Sequence, residues 1–344
     1  MPLVQRACLR APYDLVFEEI SIGNSLQARE IYAETLYSAL SIGTETAAYI
    51  GQPPLRPGIA YPRLLGYCNV AVIRKLGCET SLYKEGDIIL TTQSHQSGFI
   101  CPETGVLGKI PKEVDLKNAT LTYLPYLGAS SLKKALYRPG EWVGVLGLGP
   151  IGLATINLLS CYKANAIAMG RREDRLRLSR RLGAAASLDT DDPKLIEHVQ
   201  SLTQNRGVDV LVTTANTWEA WRLALEVTRA HGRIAVLGFP GRNESVPTDN
   251  PLDPTLFYLK QLNILSCGYI SEWQKRPVDA LKEQKKLVQA MINLMKQKKL
   301  VLSELISDAV PYTALESMYK KAMAKEPHFV TAVLSWPAAE GHQT

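Results

Sequence analysis

Apolar and polar positions alternate in two different ways along the chain, and the change falls near residue 120. Before that point, short β-like runs such as residues 71–73 and 87–90 are separated by turn-forming residues, and no helical period is sustained. Proline and glycine punctuate residues 51–66, which predicts a long, irregular loop. The first third of the chain is therefore predicted to form a compact, mostly β domain.

From residue 120 to about residue 270, apolar runs alternate with amphipathic helical patterns. The predicted strands cover residues 142–149, 166–170, 208–215, 233–239 and 263–269, and the predicted helices cover residues 150–164, 172–184 and 218–232. This alternation predicts an α/β fold with a parallel sheet covered by helices on both faces. After residue 275 the pattern predicts helices at 277–298 and 312–325, strands at 305–306 and 330–336, and a disordered tail after residue 337.

Length, composition and charge narrow the class of protein. The 344 residues suggest two domains, because domains average roughly 150 residues. No apolar run reaches the roughly 18 residues of a membrane span, and the N-terminus lacks a signal-peptide pattern. Six scattered cysteines are typical of free thiols in the cytoplasm, where we expect the protein. The net charge of +6 is mild and mostly dispersed, which argues against a nucleic-acid partner.

A glycine-rich string joins the first predicted strand of the α/β segment to its helix. It reads Gly147-Leu148-Gly149-Pro150-Ile151-Gly152, the G-x-G-x-x-G spacing of dinucleotide-binding loops. Gly147 permits the tight turn, Gly149 lets the backbone approach a pyrophosphate, and Gly152 allows the helix to pack closely on the strand. We expect Gly147, Gly149, Pro150, Ile151 and Gly152 to bind the cofactor at the positive end of the helix dipole. The alternative is a glycine-rich turn without a ligand.

The end of the second predicted strand favours NADPH over NADH. An acidic residue at this point commonly binds the ribose 2′-hydroxyl of NAD, but here Gly170 is followed by Arg171 and Arg172. Two guanidinium groups suit a 2′-phosphate, which a carboxylate would repel. We therefore place Gly170, Arg171 and Arg172 at the cofactor. The alternative is that the arginines are solvated residues at the start of a helix.

The order of the segments, the loop GLGPIG and the phrase RRLGAAASLD resemble the medium-chain dehydrogenase/reductase superfamily. The resemblance implies a GroES-like catalytic domain from residues 1–120 and 275–344, with a doubly wound Rossmann NADP-binding domain, residues 121–274, inserted into it. It also implies a cleft for nicotinamide and substrate. Residues 41–45, 61–62 and 65–67 are similar to the bacteriochlorophyllide dehydrogenase type of this superfamily.

Strand ends of the Rossmann domain give further cofactor positions. Ligands bind outside the carboxyl ends of parallel strands. The resemblance places such stretches along the nicotinamide half of the cofactor. We therefore expect contacts from residues at two strand ends, namely Thr214, Ala215, Leu237, Gly238 and Phe239. Plain strand-end structure is the alternative.

The ligands of catalytic zinc in this superfamily are replaced. Ile42 stands at the first ligand position, Tyr67 at the second, and the segment around Leu124 offers no ligand for the third. Because catalytic zinc needs three protein ligands and a water, we expect no zinc. A rearranged site made from Glu45, Cys68 and His95 is an alternative that fits no known spacing.

Without a metal, hydrogen-bond donors must stabilise developing negative charge. Tyr67 occupies the position of a zinc-binding histidine, and Thr44 that of the proton-relay hydroxyl, so both are our catalytic candidates. Tyr49, Tyr123, Tyr126 and His95 are second choices. With 15 tyrosines in the chain, the competing explanation for each is a packed ring with a hydrogen-bonded hydroxyl.

Three functions follow from these expectations. The first is a zinc-independent, NADPH-dependent reductase of a polarised C=C, C=O or C=N bond in a small, biosynthetic metabolite. The second is an NADP-dependent secondary-alcohol dehydrogenase, and the third is a dinucleotide-binding protein without turnover. The apolar loop from Gly51 to Tyr67 points to a bulky or hydrophobic substrate. The resemblance also implies a homodimer formed through the last strand of the Rossmann sheet.

Overall fold

The computed structural model describes residues 3–23, 25–55, 59–268 and 278–342. The chain divides into two compact units. The first unit comprises Met1–Tyr123 and Arg276–Thr344, and the second comprises Leu124–Lys275. The first unit is thus made from two separate stretches of sequence.

The first unit begins with strands that carry most of its core. In chain order, its elements before the boundary are β1 (Leu3–Ala11), β2 (Asp14–Ser21), β3 (Glu30–Ala39), α1 (Ile42–Tyr49), β4 (Arg63–Leu64), β5 (Asn69–Leu76), β6 (Ile88–Thr91), β7 (Gly98–Pro102), a 3₁₀ turn (Glu103–Gly105), β8 (Gly108–Lys109) and α2 (Leu116–Thr120).

The second unit alternates strands and helices, as predicted. Its elements are α3 (Tyr123–Lys134, which starts at the boundary), β9 (Trp142–Leu146), α4 (Pro150–Cys161), β10 (Asn165–Gly170), α5 (Glu173–Arg181), β11 (Ala186–Asp189), α6 (Leu195–Leu202), β12 (Val208–Thr213), α7 (Trp218–Val227), β13 (Thr228–Val236), a π-helical turn (Pro254–Tyr258) and β14 (Asn263–Ser266). The strands are parallel in the order β11-β10-β9-β12-β13-β14. The strand order reverses between β9 and β12, which is where such sheets bind ligands.

The remaining chain returns to the first unit. It forms α8 (Val278–Lys296), 3₁₀ turns at Ser303–Leu305 and Tyr312–Ala314, β15 (Ile306–Pro311), α9 (Leu315–Met323), β16 (Thr331–Ser335) and a last 3₁₀ segment (Pro337–His342). The described strands form one sheet in the order β15-β16-β3-β5-β6-β8, with β7 also on β3, and a smaller sheet β2-β1-β4. Strand β16 pairs antiparallel with β3, so the end of the chain completes the sheet begun by its start.

Two predictions for the first unit are wrong. Helix α1 forms where no helical period was expected. It has only eight residues and is supported by tertiary burial of Ala47, Ala48 and Tyr49 rather than by an amphipathic pattern. The tail predicted to be disordered is instead a 3₁₀ segment as far as residue 342. Ala339, in that segment, is buried against a cluster that includes Leu36.

Element boundaries also differ in the second unit. The helix predicted to reach residue 232 ends at Val227, and the residues from Thr228 onward join β13. The Lys260 ammonium group donates to the carbonyl oxygens of Leu225, Glu226 and Thr228 at 2.8, 2.7 and 2.8 Å. A cation at a helix C-terminus satisfies carbonyls that the helix leaves unpaired, which stabilises this early end.

Some predicted elements extend beyond the described residues. The helix at 277–298 is seen from Val278 to Lys296, the last Rossmann strand from Asn263 to Ser266, and their predicted ends at residues 277 and 269 lie outside the described ranges. Strand β11 and helices α3 and α6 were not predicted. In the part of the chain that the structure describes, no helix has both the length and the apolar character needed to cross a bilayer.

Candidate functional site

The glycine loop adopts a shape that only glycine permits at two of its three positions. Gly147 has φ +93°, and a Cβ atom there would lie 2.7 Å from Thr214 Oγ1. A Cβ at Gly152 would collide with the carbonyl oxygen of Gly147. Both glycines therefore serve the close packing of α4 on β9 and β12, as the sequence pattern predicts.

Gly149 differs from its two neighbours. It has ordinary angles, φ −76° and ψ −176°, and a Cβ atom built there meets nothing within 4 Å. The protein's own packing thus gives no reason for glycine at this position. Open space above a glycine in this loop is what a pyrophosphate needs for close approach to the backbone.

The N-terminus of α4 begins at this open space. Gly149 is its N-cap residue, Pro150 is at the first turn, and no side chain caps the helix. The first intrahelical bond runs from the Leu153 amide to the Gly149 carbonyl at 2.9 Å. The amides of Ile151 and Gly152 precede that bond, so the first turn can donate hydrogen bonds to an anion at the positive end of the helix.

The other predicted strand ends surround and support the loop. The Thr214 hydroxyl donates to the Gly147 carbonyl at 2.9 Å, which ties the end of β12 to the glycine turn. A Cβ at Gly238 would lie 2.6 Å from the carbonyl oxygen of Ala215, so the segment after β13 also packs against β12 without room for a side chain. Thr214 and Gly238 therefore both contribute to packing at the end of β12.

The segment after β13 then turns outward. The amide of Leu237 donates to Thr213 O at 2.9 Å, and the amide of Phe239 donates to Asn216 Oδ1 at 3.1 Å. Phe239 is 40% exposed, and the Arg242 guanidinium stacks 4.8 Å from its ring centroid. Burial lowers the pKa of Arg242. The structure therefore leaves an aromatic ring accessible at the end of β13.

Arg171 and Arg172 lie in different surroundings at the end of β10. Arg171 is exposed and makes a long ion pair of 3.6 Å with the exposed Glu219. Arg172 donates two hydrogen bonds, of 2.9 and 2.6 Å, to the Asp174 carboxylate. Close by, Arg175 is buried, and burial, together with the charge of Arg172, lowers its pKa to about 10 against the opposing effect of Asp174. Two cations, Arg172 and Arg175, therefore share one partly buried carboxylate here.

A buried polar cluster lies in the first unit around Glu45. This carboxylate accepts from the Ser41 amide at 2.6 Å, from His95 Nε2 at 2.9 Å and from the Tyr319 hydroxyl at 2.7 Å. Burial acts to raise the pKa of Glu45, but the charge and hydrogen bond of His95, with the other two donors, outweigh it and lower the pKa. Burial and the neighbouring Glu45 charge raise the pKa of Tyr319 well above its usual value.

The cluster continues from His95 to the C-terminal segment. His95 Nδ1 lies 2.8 Å from Ser38 Oγ, and Trp336 Nε1 donates to the same oxygen at 2.9 Å. A protonated His95 donates from Nε2 to Glu45 and from Nδ1 to Ser38 Oγ, whereas in the neutral tautomer with its proton on Nε2 the Ser38 hydroxyl donates to Nδ1. A Cβ at Gly66 would lie 2.8 Å from the His95 ring, so glycine is needed for the ring to fit.

Tyr67 meets this cluster through Ser41. Its hydroxyl hydrogen-bonds to Ser41 Oγ, and its ring packs edge-on to Tyr123 with centroids 5.3 Å apart. Thr44 lies half-buried on α1, where its amide donates to Ser41 O at 3.0 Å. Sequence reasoning chose Thr44 as the second hydroxyl and missed Ser41. Its only trace in the sequence is the spacing of Ser41 and Glu45, one helical turn apart.

The second-choice candidates have structural partners. Tyr49 donates to the Glu316 carboxylate at 2.7 Å, and burial raises the pKa of Tyr49 to about 12. His95 belongs to the Glu45 cluster, and Tyr123 packs on Tyr67. Tyr126 lies on α3 in the second unit.

The positions that the resemblance assigns to zinc ligands carry other side chains. In the first unit, the ligand positions hold Ile42 and a hydrogen-bonded Tyr67. Leu124 in the second unit is fully buried. Within the described ranges, no group of three or more histidine, cysteine or acidic side chains could hold a metal, so Glu45, Cys68 and His95 do not form the rearranged site considered above.

Comparison with known proteins points to dehydrogenases. A family model described as zinc-binding dehydrogenase matches residues 150–285. A sorbitol dehydrogenase from Bacillus subtilis is 29% identical over 150 residues, which are 42% of this chain and 42% of that relative. An alcohol dehydrogenase from Rhizobium meliloti is 27% identical over 232 residues, which are 57% of this chain and 66% of the relative. The chain thus matches less than two thirds of the length of either relative.

The fold extends further than the sequence similarity. The solved structure of an alcohol dehydrogenase from Thermus sp. ATN1 has a TM-score of 0.79 at 17% identity, covering 96% of this chain and 99% of that chain. The predicted fold class, a GroES-like part with an inserted Rossmann sheet, is therefore confirmed. The family model and the two relatives show similarity to dehydrogenases, and the solved structure shows the fold alone.

Proposed function

We propose that this protein is an NADPH-dependent oxidoreductase that works without zinc and reduces a polarised double bond of a small molecule. The observation that carries the proposal is the open space at Gly149, at the uncapped N-terminus of α4. Gly147 and Gly152 are needed for packing, whereas Gly149 is explained by a bound pyrophosphate.

The arginines after β10 support NADPH. Arg172 and Arg175 share the Asp174 carboxylate, and Arg171 is held by a long, exposed ion pair. Such exposed pairs contribute about 0–1 kcal/mol, so Arg171 can turn to a ligand at little cost. The three arginines have two carboxylate partners, which leaves one positive charge that a 2′-phosphate would offset and an unsubstituted ribose would not.

Tyr67 is our candidate for the proton donor. When bound, the reduced nicotinamide supplies a hydride to the electrophilic carbon. The other end of the double bond then needs a proton, which a positioned hydroxyl can deliver. Tyr67 is buried and oriented by Ser41 and Tyr123, so its hydroxyl is held in one direction. No step through a metal is needed.

Secondary-alcohol oxidation with NADP is a second candidate. The names of the two relatives, a sorbitol dehydrogenase and an alcohol dehydrogenase, favour it. For a carbonyl substrate it is the reverse of the same reaction, with Tyr67 accepting the proton. No specific observation favours the third function considered from the sequence, a dinucleotide-binding protein without turnover.

The test begins with cofactor binding and then turnover. Purified protein is titrated with NADPH and with NADH, and then assayed in both directions on enones, ketones, imines and secondary alcohols, with product structures determined. We expect tighter binding of NADPH and turnover of at least one class. Tight binding without turnover on any of them would favour the third possibility, and no binding of either nucleotide would refute the proposal.

Variants separate the two cofactors and the proton donor. Replacing Arg171 with Asp and Arg172 with Ser should lower the ratio of NADPH to NADH efficiency, because both cations are lost. Arg177→Ser, at an exposed arginine on α5, the helix that follows Arg172, is the matched control. Tyr67→Phe should lower kcat at unchanged NADPH affinity. An unchanged ratio refutes the NADPH assignment, and an unchanged kcat removes Tyr67 from the reaction.

A further inference from the structure

We propose that Ser41 is a positioning residue that orients the Tyr67 hydroxyl and stabilises its deprotonated form. This inference rests on the proposed function, in which Tyr67 exchanges a proton with the substrate. The first observation is the buried hydrogen bond between Ser41 Oγ and the Tyr67 hydroxyl. Ser41 is 3% exposed and Tyr67 8%, so little water competes for this bond.

The second observation concerns what the Ser41 side chain does not do. Ser41 is the N-cap residue of α1, and at that position a serine hydroxyl usually accepts a bond from an amide of the first turn. Here it makes no such cap. The hydroxyl is turned to Tyr67 instead, although the helix would gain stability from capping. Because Ser41 does not make the cap that its position favours, its hydroxyl points to a role at Tyr67.

The third observation is that the backbone of Ser41 is itself fixed by a hydrogen bond. Its backbone amide donates to Glu45 Oε1 at 2.6 Å, and the other carboxylate oxygen is held by His95 and Tyr319. A single hydrogen bond leaves a serine free to change rotamer, but a backbone fixed to a buried carboxylate limits where its oxygen can lie. The Glu45 cluster therefore supports the position of Ser41, and Ser41 that of Tyr67.

The chemistry follows from this arrangement. In reduction, the hydride of the cofactor forms a bond to the electrophilic carbon, the π bond breaks, and Tyr67 gives its proton to the other end. This leaves NADP⁺, the reduced product and a tyrosinate, which regains a proton from solvent. Ser41 can donate its hydroxyl hydrogen to the tyrosinate oxygen, and bonds to charged acceptors are the stronger kind.

The titratable groups around Ser41 and Tyr67 increase the effect of the Ser41 donor on a tyrosinate. Tyr123 packs edge-on against the Tyr67 ring, and Glu45 and His95 connect to it through Ser41. The negative charge of Glu45 opposes a second negative charge nearby, so a tyrosinate at this place benefits from a hydrogen-bond donor.

The first test is Ser41→Ala, with Thr46→Ala as the matched control. Thr46 is on the same helix, and its hydroxyl donates to the Ile42 carbonyl at 2.5 Å. Ser41→Ala should lower kcat for reduction about tenfold and move the alkaline limb of its pH profile upward by about one unit. The KM for NADPH should stay within about twofold. A pH profile of Ser41→Ala that coincides with that of the control would overturn the inference.

The second test does not depend on turnover. 3-Fluorotyrosine is incorporated at position 67, and its ¹⁹F resonance is followed against pH in wild type, Ser41→Ala, Ser41→Thr and Thr46→Ala. We expect the transition of Ser41→Ala to lie about one unit higher, and the other variants to match wild type. Coincident curves for wild type and Ser41→Ala overturn the inference. Separate curves in a protein that turns over no substrate would instead refute the proposed function and leave the coupling standing.

Discussion

Alanine at the last two glycines of the cofactor loop should separate folding from binding. A Cβ at Gly152 collides with a backbone carbonyl, which cannot move aside, so Gly152→Ala should cost at least about 2 kcal/mol of unfolding free energy. For a unit the size of Leu124–Lys275 that lowers Tm by about 4–8 °C. At Gly149 the added methyl group meets no protein atom within 4 Å. The loss of a favourable N-cap glycine and the lower entropy of the unfolded chain roughly offset each other, so Tm should change by less than about 2 °C.

Binding should show the opposite pattern at Gly149. A methyl group in the space of the pyrophosphate has the cost of overpacking, about 1–3 kcal/mol, which raises the Kd for NADPH about 5- to 150-fold. Thermal denaturation without nucleotide measures the first effect, and calorimetric titration with NADPH measures the second. If Gly149→Ala binds NADPH as wild type does, the open space is not the pyrophosphate site. If its Tm falls like that of Gly152→Ala, the reasoning from packing is wrong.

Two further substitutions test the supporting structure. Because the pKa of Glu45 is lowered in the folded protein, its stabilisation is complete above the usual carboxyl pKa of about 4.3 and is lost as pH falls through the folded value. Glu45→Gln should therefore lower the unfolding free energy by about 3 kcal/mol at pH 7. Measured by urea unfolding, the free energy of the variant should also decline less than that of wild type below about pH 4. Parallel curves of unfolding free energy against pH for the two proteins would contradict this. Lys260→Met removes a donor to three carbonyl oxygens and should lower the unfolding free energy by about 2 kcal/mol, measured by thermal denaturation. The control Lys286→Met, at an exposed lysine, should melt like wild type. Equal melting of the two variants would count against a capping role for Lys260.

The regular parts of the fold could be read from the sequence because each has a local cause. The strands β9, β10 and β12 are mostly apolar and buried along nearly their whole length. Helix α5 carries one apolar side, and α4 is buried from Gly152 to Leu159. The glycine spacing then places the loop at the end of β9. Helix α1 and the ordered tail could not be found this way, because both are stabilised by residues distant in sequence.

The candidate site divides in the same manner. The cofactor loop is local, so its spacing alone predicts it. The Glu45 cluster is not, since Glu45 and Tyr319 are 274 residues apart and Ser38 and Trp336 are 298 apart. No pattern in the sequence links such residues. Ser41 was overlooked for this reason, since its significance depends on contacts that only the folded first unit contains.

The same long-range bonds have a consequence for biosynthesis. A ribosome makes Ser38 and Glu45 early, but the Tyr319 and Trp336 that bond to them emerge only after the whole second unit has been translated. Strand β3 likewise waits for β16 as its neighbour. The inserted unit has its own core and contiguous sequence, so it can fold first during synthesis. Until translation ends, Glu45 lacks its Tyr319 partner and β3 has an unpaired edge where β16 will bind. The nascent chain is therefore a candidate client of chaperones.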